Sequence, residues 1–193
     1  MGHSQADKAQ SRQRILDAAA QQIRELGLAG ISIGELMKTA KLTHGGFYRH
    51  FSSIDELVAE ALEKALREGE ESAIRTGSTR GPRTLKSFLN SYLSKAHRDN
   101  PRSGCAVSAL AGDVARAEPA TRSIMVEQLE KYFSNISALT GDNGADDFPM
   151  AVMSMVVGAV ILSRVMTDSE ASDKLLLAAR KAILEYDQLR KEA

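Results

Sequence analysis

Between Lys41 and Phe51 the chain reads KLTHGGFYRHF, two glycines beside a cluster of polar and aromatic residues. Thr43, His44, Tyr48, Arg49 and His50 surround the pair Gly45–Gly46. Glycine inside a helix costs about 1 kcal/mol relative to alanine. A chain can accept that cost where another molecule must approach the backbone with no Cβ in the way. The surrounding side chains are hydrogen-bond donors suited to phosphate oxygens and base edges. The other reading is a plain loop between helices, since glycine pairs commonly mark turns. His44 and His50 lie about 240° apart around a helix, so they cannot share a metal ion.

Stepping outward along the chain, Ile15, Ala19, Ile23 and Leu26 recur at helical spacing from Ser11, and Gly27 stops that helix. Ser32 and Glu35 have capping-box spacing, so a second helix begins there with Ile33, Leu36, Met37 and Ala40 inward. Thr43 can cap a third, over about 44–51, with Phe47 and Phe51 anchoring it to the core. Ser53 and Glu56 open a fourth, through Leu57, Ala61, Leu62 and Ala65 to about Arg75. A second short helix entered by a brief turn is a helix-turn-helix, and its first residues are those that reach the major groove.

Beyond a loop at 76–82, Pro82 suits the first turn of a fifth helix, which Asn100–Gly104 ends. Cys105 to about Val114, Pro119 to about Leu139, Phe148 to Met166 and Ser172 to Leu189 follow. The class is all-α with about nine helices, divided into a head, 1–53, and a body, 54–193. The run Ala151–Leu162 is almost wholly apolar, shorter than the ~20 residues of a membrane span. Such a helix must be covered all round, by its own domain or by a second copy of the chain, with Gly158, Ala151, Ser154 and Ala159 allowing close approach.

Residues 1–51 carry seven Lys/Arg against four acids in a chain of zero formal net charge. The head is therefore basic and the remainder acidic, which permits a polyanion at the head. Composition, a single cysteine and a charged N-terminal segment without a signal peptide read as a cytoplasmic globular protein, with no membrane partner. No hydrolase, nucleotide-binding or zinc-protease motif appears, so an enzyme is not expected, nor are a cofactor or metal. A helical adaptor for proteins would not need the basic head with its glycine-opened helix.

The segment ISIGELMKTAKLTHGGFYRHFSSIDEL resembles the DNA-binding segment of the TetR (tetracycline-repressor-like) family, over roughly Arg14 to Leu62. Gly45, Tyr48, His50 and Phe51, followed by Ser53 and Leu57, carry that resemblance. It implies a homodimeric repressor on a double-stranded DNA operator, released by a small-molecule effector. It places His44 and Gly45, with Gly46 beside them, at base edges, and Thr43, Tyr48, His50 and Ser32 on phosphates. Arg49 would read guanine or bind phosphate. Family members often have lysine where this chain has Ile54, so Lys8, Arg12 and Arg14 are expected to supply the missing charge.

In the body, Phe88, Tyr92, His97, Cys105, Leu110, Met125, Leu129, Phe133 and Met153 are expected to line a pocket for a mainly apolar effector, or else to be plain core. Tyr92 or His97 would be its polar handles; the alternative for His97 is a surface cation at a helix C-terminus. Cys105, after Arg102 and a glycine at the expected start of a helix, reads either as a reactive thiol or as a small buried hydrophobe. The last two helices, about 147–166 and 172–190, are expected to make the homodimer.

Overall fold

The structure, a computed structural model, describes residues 5–78, 83–141 and 147–192, with the side chains of 70–78 left aside. Among the described residues it has nine α-helices, three short 3-10 turns and no strand. The head holds α1 (Gln5–Leu26), α2 (Ile33–Thr39) and a 3-10 turn at His44–Arg49. α3 (Ile54–Ser78) leads into the body. There follow α4 (Leu85–Tyr92), α5 (Lys95–Asp99), α6 (Ala106–Val114), α7 (Pro119–Thr140), α8 (Phe148–Val165) and α9 (Ser169–Glu192). Shorter 3-10 turns lie at Leu28–Gly30 and Pro101–Ser103.

The head's core forms because α1, α2 and the 3-10 turn each bury one apolar side. Ile15, Ala19, Ile23, Leu36, Met37, Phe47 and Phe51 are buried together. The Phe47 and Phe51 rings stack 5.7 Å apart. Each such side chain contributes about 1.5–3 kcal/mol. α1 also packs along α3. Their seam carries Arg12–Glu60, Lys64–Asp17 at 2.9 Å and Arg24–Glu68 at 2.9 Å. The first half of α3 is thus fastened to the head while its remainder runs into the body.

Local signals differ from expectation at several helix ends. Ser32 and Thr43 begin their helices by backbone, but neither side chain makes a cap bond. Ser53 does accept the Glu56 amide, at 3.0 Å, yet the Glu56 carboxylate turns to the Ser52 amide and hydroxyl. The third helix is a 3-10 turn of six residues. The fifth is two helices: Leu93 leaves helical geometry, and Ser94 caps a new start by accepting the His97 amide at 3.2 Å. Pro82 lies outside the described residues, and the first described cap there is Thr84, in a reciprocal box with Ser87. α3 runs on to Ser78 and α9 starts at Ser169, where Asp168 accepts the amides of Glu170 and Ala171.

The turn between α2 and the 3-10 segment is a Schellman motif. The Leu42 amide donates to Met37 O at 2.8 Å and the Lys41 amide to Lys38 O at 3.0 Å. Lys41 therefore sits at φ 58°, where glycine is usual. Lys41→Gly should raise unfolding free energy by about 0.5–1 kcal/mol. Urea denaturation checks this, and a fall would show that the left-handed residue carries no strain.

Candidate nucleic-acid interface and the cavity behind it

Thr43, His44, Gly45, Tyr48 and Arg49 are exposed together on the 3-10 turn, while Phe47 anchors it. Tyr48 is 72% exposed, with only its edge on Phe47. A Cβ built on Gly45 would meet nothing within 4 Å. Gly45 and Gly46 both lie inside the 3-10 turn and neither has positive φ, so the pair is not there to bend the chain. Gly46 differs in direction: its Cβ would touch Met37 Cε at 3.5 Å and Thr43 Oγ1 at 3.6 Å, so it packs inward. Ser32 is exposed at the start of α2. A Cβ at Gly34 would lie 3.9 Å from Ser32 Oγ and 3.7 Å from His44 Nδ1, which brings those two groups to one face.

His50 is half-buried, and its Nδ1 is buried without a hydrogen-bond partner. Burial, then the nearby charges of Lys8, Arg12 and Arg49, hold its pKa below the usual histidine value. Its backbone carbonyl accepts from Arg12 Nε at 3.3 Å. Arg12 is not a free cation as expected: its guanidinium pairs with Glu60 and Glu56 and lies over the Phe51 ring at 4.5 Å. Lys8 and Arg14 are exposed, as are Lys38 and Lys41 beside the turn.

Behind the head, a cavity of about 470 Å³ opens between α4, α5, the start of α6 and α7. Phe88, Tyr92, His97, Cys105 and Met153 line it. Leu110, Met125, Leu129 and Phe133 are not among its described lining. Leu110 and Met125 are buried core, and Leu129 and Phe133 pack against that core. Polar groups take their place, including Ser87, Asn90, Ser91, Asn100 and Arg83. Helical spacing marks an apolar face but not whether a neighbour or a void lies against it.

His97 is neither a free handle nor a surface cation. Its Nε2 accepts the Cys105 amide at 2.9 Å, so its proton is on Nδ1, donated to Tyr92 O at 2.6 Å. Burial depresses its pKa, the Tyr92 carbonyl opposes that, and Arg164 adds to it. Gly104 makes the arrangement possible, since a Cβ there would lie 2.9 Å from His97 Cδ2. The Tyr92 hydroxyl is buried, with the Cys105 and Ser108 side chains near it but no hydrogen bond formed. Cys105 is 7% exposed at the N-cap of α6, and its thiol donates to Tyr132 Oη at 3.8 Å. Arg102, expected to charge that thiol's surroundings, pairs instead with Glu25 at 3.0 Å.

Two features escaped the sequence. Asp113, at the far end of α6, accepts the Leu28 amide at 3.0 Å and packs on Gly27, whose φ of 83° and lack of Cβ admit the carboxylate. Nothing local signals a contact across that sequence distance. Arg164 donates to the carbonyls of Arg98, Ser108 and His97 at 3.0, 3.3 and 3.1 Å. It is the only charged residue within α8, and that was a legible signal. Among the described residues, no group of His, Cys, Asp and Glu is placed to hold a metal.

Residues 15–61 match the family described as bacterial regulatory proteins, tetR family. The HTH-type transcriptional regulator AcrR of Shigella flexneri is 37% identical over 54 residues, 28% of this chain and 25% of that one. The match thus spans about a quarter of that relative. A TetR transcriptional regulator from Chloroflexus aurantiacus superposes with a TM-score of 0.78 at 21% identity, over 94% of this chain and 96% of that one. A TetR-family regulator from Cytophaga hutchinsonii gives 0.76 at 19% identity, over 96% and 98%. The resemblance read from the sequence holds, in the head by sequence and over nearly the whole chain by fold.

Proposed function

We propose that this chain, with the DNA-binding segment of the TetR family and that family's all-α fold, is a cytoplasmic, ligand-responsive transcriptional regulator. It acts as a repressor: residues 1–53 dock on a (pseudo)palindromic operator, and 54–193 dimerise and hold an effector. The observation that carries the DNA reading is the set Thr43, His44, Tyr48 and Arg49, exposed around a glycine whose missing side chain faces open space. Phosphate contacts set register and base-edge contacts set sequence. Operator affinity should therefore fall steeply and log-linearly with salt. Selection from random duplexes should enrich an inverted repeat with half-sites about one helical turn apart, or a multiple of it. Salt-independent binding, or selection of single strands, sinks the proposal.

The reading of the cavity as an effector site is supported by its connection to the head. Ser103, Gly104 and Cys105 form part of its wall. The Pro101–Ser103 turn packs on α1, and α6 leads from Cys105 to Asp113, whose carboxylate holds Leu28. An occupant that moves the start of α6 therefore acts on the end of α1, and α3 conveys the same displacement through its ion pairs. DNA affinity changes only as far as the occupant distinguishes the two states, typically about 1–3 kcal/mol. Asp113→Ala should speed amide exchange at Leu28. A compound that releases the wild type from its operator should still bind this variant, with little release. Full release by the variant would place the coupling elsewhere.

A further inference from the structure

We propose that the cavity takes an anion: a molecule with an aromatic or otherwise apolar body and one carboxylate. This rests on the effector reading above and names the chemical class of the occupant. Phe88, Tyr132 and Met153 offer an apolar wall. A narrow extension continues it past Ile136 and Leu139. Among the described lining residues there is no aspartate or glutamate. Arg83 belongs to the wall of both the cavity and its extension, and it forms no ion pair among the described residues. Ser87, Asn90, Ser91 and Asn100 add hydrogen-bonding groups.

A second cation, Arg164, is bonded to the backbone carbonyl of His97, a lining residue. Arg164 is bound by three backbone carbonyls and by no carboxylate. The Tyr92 and Cys105 side chains, both in the cavity wall, lie close enough to act on it. Asp99 acts on it as well and is itself paired with Arg98 at 2.7 Å. A half-buried guanidinium bonded to neutral carbonyls and to no carboxylate keeps its net positive charge. An occupant's carboxylate would meet Arg83 directly and the charge of Arg164 at longer range. An ammonium would meet two like charges and no described acid.

The test uses three matched probes on the full-length protein without DNA: phenylbutyrate, its primary amide and phenylbutylamine. Calorimetry should show the acid binding on the order of tenfold tighter than the amide, as charge-assisted hydrogen bonds are about twice as strong as neutral ones. The amine should bind weakest. Arg83→Gln should remove most of the acid's advantage and leave the amide unchanged, while Arg83→Lys keeps most of the preference. An amine that binds as well as the acid overturns the inference. So does an Arg83→Gln variant that keeps the acid's advantage, or no binding by any probe at millimolar concentration. Acid-selective binding that leaves operator affinity unchanged keeps the anion site and sinks the effector reading instead. A wild-type protein that binds no operator sinks the regulator reading and leaves this one standing.

Discussion

Gly45→Val should abolish operator binding while leaving the fold and the dimer intact. In the free protein the new Cβ meets no atom within 4 Å, and φ at this position is not positive, so the cost in stability is small. In the proposed complex the same carbon stands on the exposed face that carries His44 and Tyr48, where backbone comes close to the groove. Holding the turn away from the bases forfeits contacts worth about 1–3 kcal/mol each, so losing two or more is about a hundredfold or greater. Gly46→Val separates this from general disruption. Its branch points at Met37 and Thr43, so it should lower the melting temperature and act on DNA through stability. Fluorescence anisotropy on operator duplexes, beside thermal melts of both variants, reads the difference. Normal operator binding by Gly45→Val would mean that the glycine is open for some other reason.

Leu162→Asp should give a folded monomer that has lost operator affinity by orders of magnitude. Met150, Ser154, Gly158 and Leu162 recur every four residues along one side of α8. None of the four is buried, and space beside Gly158 is empty. Leu162 is 56% exposed, and Ile161, Val165, Leu177 and Leu189 are further exposed apolar residues of α8 and α9. The other side of α8 is covered within the chain, by α6, α7 and α9. α8 meets the length and composition of a membrane span, but it is this half-covered core helix and carries Arg164. Exposed apolar residues gathered on one side of a helix are the kind of surface that marks an interface. A charge at its centre would be buried unpaired on association. In the proposed dimer, losing the partner removes one of two linked recognition turns, so the second contact is no longer intramolecular. Sedimentation and operator titration check this together. A Leu162→Asp protein that remains a dimer with normal affinity would put the interface on another face.

The head was legible because its signals are local. Apolar residues at helical spacing in α1 and α2, a breaker at Gly27 and an aromatic pair four apart determine which sides face inward. An exposed turn bearing Thr43, His44, Tyr48 and Arg49 follows from that. Even there Ser53 caps its helix as expected while Ser32 and Thr43 stand at their helix starts without a side-chain bond, because a hydroxyl at a helix start can leave its amides to solvent or to a partner. Periodicity also could not tell the outward Gly45 from the inward Gly46, which depends on where Met37 packs. In the body the sequence determined that α8 is apolar all round and that the class is all-α. It could not determine which apolar side chains meet a void. Leu110 and Phe88 have the same kind of pattern, yet one is core and the other lines the cavity, because lining is decided by the neighbour across the gap. His97 became a neutral bridge only when Cys105 and Tyr92 closed on its two nitrogens. Arg164 and Asp113 found their partners only in the packed chain. Hydrogen bonds between residues far apart in sequence follow helix placement, which is set by the whole core at once and leaves no mark in any single stretch.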